Sequence, residues 1–184
     1  EKPVIYVYPK EDKTAVTISI KHKEPLDIEY PLSDNGNWSL VADKDGTLHY
    51  KGREYNYIYW EDTSNWDKSF EKGFCVKKED TVAFLEEALT KLGLNEKEQD
   101  DFITYWLPKL YAYDWNLISF NPVAYEKEYT LEVSKKANVI NAFMIMKGVK
   151  EKTDIAPQKL ENLNDVSRDG LTVVTWGGTC VDSD

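Results

Sequence analysis

Residues Thr14–Ile20 read TAVTISI, and their apolar side chains recur at every second position. Successive side chains of a β-strand point to opposite sides, so Val16, Ile18 and Ile20 share one face. This period predicts a strand with that face turned to the core, and Ala15, Thr17 and Ser19 on the other face. The rest of the first third repeats the same kind of signal.

Short β-branched and aromatic runs surround this strand, at Val4–Tyr8, Leu26–Tyr30, Trp38–Val41 and Leu48–Tyr50. Asn-Gly in the stretch Ser33–Trp38 and Asp-Gly in Asp43–Thr47 are typical of tight hairpin turns. A longer aromatic stretch, EYNYIYWEDTSNW, then covers Glu54–Trp66 and is predicted to begin as one long strand. These signals together predict an antiparallel meander.

Helical spacing replaces alternation after Lys78, with apolar residues at Val82, Leu85, Ala88, Leu89 and Leu92. Asp80 is predicted to cap this helix and Gly93 to end it. Asn95 and Glu98 predict a capping box for a second helix. Pro108 lies within the second apolar stripe and predicts a kink or an end near Leu107.

Strands are predicted again at Asn116–Phe120, Tyr129–Ser134, Val139–Lys147 and Leu171–Trp176, and a polar loop at Glu151–Gly170. Val139–Lys147 is apolar on both faces, as in a central strand. The predicted fold class is α+β, a largely antiparallel β-sheet or sandwich with an inserted αα-hairpin. One domain is predicted over residues 1–184, with antiparallel strands in 3–77, the helical hairpin in 79–112 and strands in 115–176.

Composition excludes several classes of protein. The 184 residues carry a formal net charge of −10, whereas nucleic-acid binding needs clustered Lys and Arg. A hydrophobic fraction of 41% argues against disorder, and no apolar run approaches the length of about 20 residues that spans a bilayer. Membrane attachment is therefore expected only through a lipid anchor upstream of Glu1.

Two cysteines, Cys75 and Cys180, leave two interpretations open. A disulfide in an extracytoplasmic protein would tie the last strand to the middle of the fold. The alternative is a pair of thiols that pack as small apolar groups.

Signatures of catalysis are scarce. The sequence has no Gly-x-Ser-x-Gly, Walker, His-Glu-x-x-His or Cys-x-x-Cys motif, and its two histidines, His22 and His49, stand in strand-rich segments. Paired carboxylates are the remaining route to hydrolysis, with Glu61 and Asp67 near the aromatic stretch as candidates. No catalytic residue, metal site or cofactor is predicted.

The aromatic stretch is the main candidate for binding. Tyr55, Tyr57, Tyr59 and Glu61 would share one face of the predicted strand, and tyrosine rings can lie half-exposed and stack on a ligand. Trp66 and Trp115 fall in predicted loops, where exposed aromatic residues often bind ligands. Glu61 and Asn116 would supply directional hydrogen bonds. The alternative is that most of these rings line the core.

Several blocks of sequence together resemble a family of uncharacterised bacterial proteins that are secreted or carried behind a lipoprotein-type leader. The blocks are KPVIYVYP (Lys2–Pro9), GREYNYIYWE (Gly52–Glu61), GFCVKKEDTVAFLEEAL (Gly73–Leu89), LGLNEKE (Leu92–Glu98), YWLP (Tyr105–Pro108), NLISF (Asn116–Phe120) and TVVTWGG (Thr172–Gly178). The resemblance implies an extracytoplasmic location. It implies no activity and no catalytic residues.

Three functional hypotheses follow. The first is a non-catalytic, extracytoplasmic domain that binds a glycan, a peptide or a cell-envelope protein through Tyr57, Tyr59, Glu61, Trp66, Trp115 and Asn116. The second is a hydrolase of cell-wall or dietary polymers that acts through Glu61 and Asp67. The third is a structural or assembly module of a larger surface protein.

Overall fold

Two β-sheets pack face to face, and a pair of helices covers the outer face of the larger sheet. The computed structural model describes residues 2–63 and 65–182. This is the predicted α+β class, dominated by sheet. Its strands are β1 Val4–Tyr8, β2 Thr14–Lys21, β3 Ile28–Tyr30, β4 Asn37–Ala42, β5 Leu48–Tyr50, β6 Arg53–Tyr55, β7 Ile58–Glu61, β8 Lys72–Lys77, β9 Trp115–Phe120, β10 Thr130–Val133, β11 Asn138–Val149, β12 Ala156–Pro157 and β13 Thr172–Val181.

Three α-helices accompany the strands: α1 Thr81–Leu92, α2 Glu96–Leu110 and α3 Val123–Glu128. The larger sheet has eight strands in the order β12-β8-β9-β11-β13-β1-β7-β3, and the smaller has five in the order β10-β2-β4-β5-β6. Neighbouring strands are antiparallel except for the parallel pairs β11–β13 and β12–β8.

The large sheet separates two hydrophobic cores. On its helix side, residues such as Met144 and Trp176 pack against α1 and α2. On its other side, Ile5 and Phe143 face the small sheet and meet the predicted core face of β2. Val16, Ile18 and Ile20 are all buried there, which confirms the prediction from their alternation. Strand β11 is hydrogen-bonded on both edges and is central, as predicted.

The predicted meander is wrong in its pairing. Asn35 and Gly36 do form a tight turn with positive φ angles, but β3 pairs with β7 in the large sheet while β4 pairs with β2 in the small one. The predicted long strand is also broken: it ends at Tyr55 in the small sheet and restarts at Ile58 in the large sheet. The chain therefore crosses between the two sheets at Asn56 and Tyr57.

The αα-hairpin forms where it is predicted. Gly93 ends α1 with a φ of 101°, a left-handed conformation that glycine adopts without strain. The Asn95 side chain accepts from the Glu98 backbone N–H, and Glu98 returns the bond to the Asn95 N–H, which confirms the capping box. Pro108 does not end α2, which continues to Leu110. A proline in the last turn removes only one helical hydrogen bond.

The last strand was predicted to end at Trp176, but it runs through Gly177 and Gly178 to Val181. A Cβ atom on Gly178 would lie 2.7 Å from Cζ2 of Trp106 and 2.8 Å from the Met144 carbonyl oxygen. Glycine is needed because the Trp106 ring lies directly on the strand at this point.

The cysteines are free thiols. Cys75 lies on β8 and Cys180 on β13, three strands apart, which corresponds to about 14 Å at the usual strand spacing. Cys180 is in register with Met146 on the helix side, whereas Cys75 alternates with Phe74 and Val76 and faces the other way. A disulfide needs Cα atoms within about 7 Å, so this fold does not allow the bridge.

Among the described residues, no helix combines the length and the apolar character that crossing a bilayer requires.

Candidate functional site

Four aromatic rings surround the ammonium group of Lys2 on the helix side of the large sheet. Nζ lies 4.7 Å from the ring centre of Tyr105, 5.7 Å from that of Tyr59, and 6.0 Å from those of Tyr57 and Trp176. A cation within about 6 Å of an aromatic face is attracted by the electrons of the ring. We call these five residues the tyrosine cluster.

Strand register assembles the cluster from distant parts of the sequence. Val4 of β1 pairs with Trp176 of β13 on one side and with Tyr59 of β7 on the other. Lys2 therefore lies between the strands that carry two of the rings. Helix α2 supplies Tyr105, whose ring contacts Trp176 at a centroid distance of 6.4 Å.

A chain of hydrogen bonds fixes one wall of the cluster. Nε1 of Trp176 donates to the Tyr6 hydroxyl at 2.8 Å, and that hydroxyl donates to Oδ2 of Asp101 at 2.8 Å. Asp101 stands on α2, one turn before Tyr105. The chain sets the orientation of the Trp176 indole and brings a carboxylate beside the aromatic rings.

The tyrosine hydroxyls of the cluster hold their protons strongly. Burial raises the pKa of Tyr57, Tyr59 and Tyr105 above the usual value near 10. Negative charge nearby raises each further: Asp101 acts on Tyr57, and Glu61 acts on Tyr59 and Tyr105. The rings are therefore uncharged hydrogen-bond donors at physiological pH.

An open pocket of about 240 Å³ borders the cluster and is lined by Lys2, Tyr57, Asp101, Thr104, Tyr105 and Trp176. None of the described carboxylates lies within ion-pair distance of the Lys2 ammonium. The pocket thus presents a cation with free N–H donors, a carboxylate acceptor and flat aromatic surfaces side by side.

Glu61 lies beside the tyrosine cluster, whereas Asp67 lies away from it. Glu61 ends β7, is half-buried and lies close enough to Tyr59 to affect its pKa. Asp67 is exposed, and its Oδ1 accepts hydrogen bonds from the backbone N–H and hydroxyl of Ser69. Those bonds lower the Asp67 pKa and describe a local turn.

Trp66 lies elsewhere, which corrects its predicted exposure. Its side chain is only 8% exposed and contacts Tyr125 and Phe143 in the core between the sheets. A loop residue can still be buried when the loop closes the edge of a sandwich. Trp66 is therefore part of the core and not of the candidate site.

Trp115 and Asn116 also fall outside the cluster. Both lie on strand β9, as predicted for Asn116, whereas Trp115 was predicted to lie in a loop. Trp115 is half-buried and paired with Lys77 and Val149. Asn116 is 1% exposed, and its Nδ2 donates to the Leu110 carbonyl at the end of α2. Its side chain stabilises a helix end and does not reach solvent, where a ligand would meet it.

Lys2, Asp101, Tyr105 and Trp176 were not predicted from the sequence as site residues. Tyr105 could have been recognised from the sequence as a candidate, because it is an aromatic residue that lies beside the apolar stripe of α2 and not on it. Trp106, the next residue, points into the core and is 1% exposed.

A second polar cluster surrounds His22, just after β2. Its Nδ1 lies 3.0 Å from Oδ2 of Asp62, and its Nε2 lies 3.1 Å from Oε1 of Glu128. The Tyr129 hydroxyl donates to Oδ1 of Asp62 at 2.5 Å, and the Tyr129 ring stacks on the imidazole. The His22 side chain is 2% exposed.

Three acceptors lie near the ring nitrogens of His22, namely the Glu24 carbonyl, Asp62 and Glu128. One donor, the Glu24 backbone N–H, also approaches Nδ1 at 3.2 Å, so the balance of contacts suits the imidazolium form. Burial lowers the His22 pKa, but hydrogen bonds to the Glu24 carbonyl and to Glu128, with the charge of Asp62, outweigh it and raise the pKa above 6.5. Neither nitrogen is left to act as a general base. We interpret the cluster as a clasp that joins β2, the end of β7 and α3.

No group of histidine, cysteine and carboxylate side chains suitable for a metal ion occurs in the part of the chain that the structure describes.

Part of the chain is similar to a bacterial protein of uncharacterised function. The chain is 38% identical over 61 residues to "Uncharacterized protein in bglA 3'region" from Butyrivibrio fibrisolvens. The match spans 33% of this chain and 64% of the relative. No family model matches the chain, and no solved structure matches it.

Proposed function

We propose that this protein is a non-catalytic binding domain that holds a glycan at the tyrosine cluster. The observation that carries the proposal is the Lys2 ammonium, which sits over four aromatic rings at an open pocket beside the carboxylate of Asp101. The extracytoplasmic location belongs to the same proposal and rests on the sequence resemblance.

The chemistry of the pocket suits a sugar. A pyranose ring has an apolar C–H face that can stack on Tyr57 or Tyr105, and neighbouring hydroxyls that both donate and accept hydrogen bonds. Lys2 can only donate, and the ionised Asp101 can only accept, so the two would bind different hydroxyls of one ring. The cation and the carboxylate also balance each other, which favours an uncharged ligand.

Isothermal titration calorimetry against soluble neutral glycans and muropeptides tests the proposal. Tyr105→Ala removes a stacking ring, and Lys2→Met removes the charged donor while keeping the length of the side chain. We expect Lys2→Met to weaken binding at least tenfold, because a hydrogen bond from a charged group contributes about 1.5–3 kcal/mol. Tyr111→Ala is the matched control, since Tyr111 is 38% exposed and has no contact with the cluster.

Equal affinity of Tyr105→Ala and Tyr111→Ala for the best glycan would refute binding at this cluster. If no glycan binds but a peptide does, the proposed ligand would be a peptide, and the proposed site would stand. Failure of both classes would favour the structural or assembly module.

The hydrolase alternative has one specific support, the carboxylate of Glu61 beside Tyr59. Glu61→Gln separates the two functions: binding should persist, and any hydrolysis through Glu61 should stop. Release of reducing ends by the wild type, lost in Glu61→Gln, would establish the enzyme.

A further inference from the structure

A cavity of about 210 Å³, partly open to solvent, lies between the two sheets on the side of the large sheet that faces away from the tyrosine cluster. One wall is a row of residues in register across three strands: Ile5 on β1, Thr175 on β13 and Asn141 on β11. Helix α3 and the start of β10 form the opposite wall through Tyr125, Tyr129 and Leu131.

Apolar and aromatic side chains make up most of the lining. These include Ile5, Ile20, Trp60, Leu131 and Val139. An apolar cavity of about 150 Å³ is enough to bind benzene, so the space here accommodates a substituted aromatic ring or a short branched chain. Val139 stands at the rim, with 44% of its surface exposed.

The lining includes one hydrogen-bond donor of fixed orientation, Nδ2 of Asn141. The Thr175 hydroxyl donates to Oδ1 of Asn141 at 2.6 Å, which sets the orientation of the Asn141 amide. None of the described residues accepts a hydrogen bond from Nδ2 of Asn141. Because Asn141 lines the cavity, a ligand there can supply the missing acceptor.

The charge of the lining limits the class of ligand. Among the described residues of the lining, Glu126 is the only charged one, and it is exposed at the side of α3. An anionic ligand would meet this carboxylate without a balancing cation, and the whole chain is already strongly acidic. A fatty acid or an aromatic acid is therefore disfavoured.

We propose that this cavity is a second binding site, for a small uncharged molecule with an apolar body and one carbonyl or ether oxygen that accepts from Nδ2 of Asn141. The site lies on the opposite face of the large sheet from the tyrosine cluster, with Trp176 of β13 bordering both, and the proposal does not depend on glycan binding.

Three probes of similar shape test the proposal by thermal shift and calorimetry on the intact protein: acetophenone, toluene and benzoate. Acetophenone has a ring and an acceptor oxygen, toluene lacks the acceptor, and benzoate carries a negative charge. Acetophenone should bind roughly threefold to tenfold more tightly than toluene, the effect of one neutral hydrogen bond. Benzoate should bind more weakly than either.

Two valine variants locate the binding. Val139→Phe places a ring at the rim from a side chain that is already exposed, and it should abolish acetophenone binding. Val123→Phe is the matched control, because Val123 is 62% exposed and does not line the cavity. Asn141→Leu should lower the affinity for acetophenone to that for toluene.

Acetophenone binding that is unchanged in Val139→Phe would overturn the proposal, and so would the absence of binding to the wild type at millimolar probe. Benzoate binding as tightly as acetophenone would also overturn the assigned ligand class. Tyr105→Ala should leave acetophenone binding intact, so the two sites can fail independently.

Discussion

Nη2 of Arg168 lies 2.5 Å from Oε1 of Glu98, whose side chain is completely buried. The arginine belongs to the long loop before β13, and the glutamate to the first turn of α2. Arg168 also donates to the Gly93 carbonyl at the end of α1, so one guanidinium ties the loop to both helices of the hairpin.

Arg168→Met should destabilise the protein by about 3–5 kcal/mol, because it leaves a buried carboxylate without its cation. Urea unfolding measures this change. Lys51→Met is the control: Lys51 pairs with Asp34 on the surface, and an exposed pair contributes at most about 1 kcal/mol. Similar losses in the two variants would mean that the Glu98 carboxylate is solvated.

The His22 clasp should make stability depend on pH. Because the folded pKa of His22 is raised above 6.5, its contribution is fully present below that value and is lost as the pH rises through the folded pKa. The difference in free energy of unfolding between wild type and His22→Gln should be largest near pH 6 and should shrink towards pH 9. Chemical denaturation at several pH values measures it.

His49→Gln is the control for the His22 experiment. His49 also has a raised pKa, through its hydrogen bond to Asp43, but it lies on the surface. Its variant should change stability little at any pH. A difference between wild type and His22→Gln that does not vary with pH would contradict the imidazolium clasp.

Tyr6 and Tyr8 offer a matched pair of hydroxyl deletions on one strand. Tyr6→Phe removes the acceptor of the buried Trp176 N–H and the donor to Asp101, and should cost about 1–3 kcal/mol. The Tyr8 hydroxyl has no partner of ordinary hydrogen-bond geometry among the described residues, but Glu98 and Asn95 lie near enough to affect its pKa, so Tyr8→Phe should cost less than Tyr6→Phe. Thermal unfolding of the two variants measures both changes in stability. Equal losses would contradict the assigned hydrogen bonds.

Cys75 and Cys180 should behave as two independent free thiols. The native protein should have the mass of two free cysteines and the same Tm with and without reductant. Cys180 is exposed, but partial desolvation raises the pKa of its thiol, so at neutral pH it should react more slowly than a fully solvated cysteine. A mass lower by two hydrogens, with a Tm that reductant lowers, would contradict the strand spacing described above.

Local patterns predicted individual elements well. The alternation of Val16, Ile18 and Ile20 is sufficient for β2, and Asn95 with Glu98 is sufficient for the start of α2. Both signals act over a few residues and report local geometry directly. Helix α3 was not predicted, because its six residues are too few to show a helical period.

Pairing between distant strands was not predictable in the same way. Tyr55, Tyr57 and Tyr59 keep an alternating pattern through the point where the chain leaves one sheet for the other. Tyr55 consequently packs with Tyr50 between the sheets, while Tyr57 and Tyr59 face the helices. Nothing in the alternation itself marks the crossing.

Some residues of the candidate site could be predicted from the sequence and others could not. Tyr57, Tyr59 and Glu61 are neighbours in the sequence, so an aromatic run reveals them. Lys2 and Trp176 join them only through the register of β1 with β13, which no local pattern encodes. The burial of Trp66 depends likewise on which strands close over it.

The pairing of β1 with β13 also governs how the protein is made. Val4–Tyr8 leaves the ribosome long before Thr172–Val181, the strand that flanks it on one side. Until that strand is made, the growing chain carries a strongly apolar segment with one edge unpaired, and such segments are prone to aggregate. Contacts between residues so distant in sequence also form slowly. The large sheet should therefore complete its folding only after β13 has left the ribosome, and the nascent chain is a natural client for a chaperone.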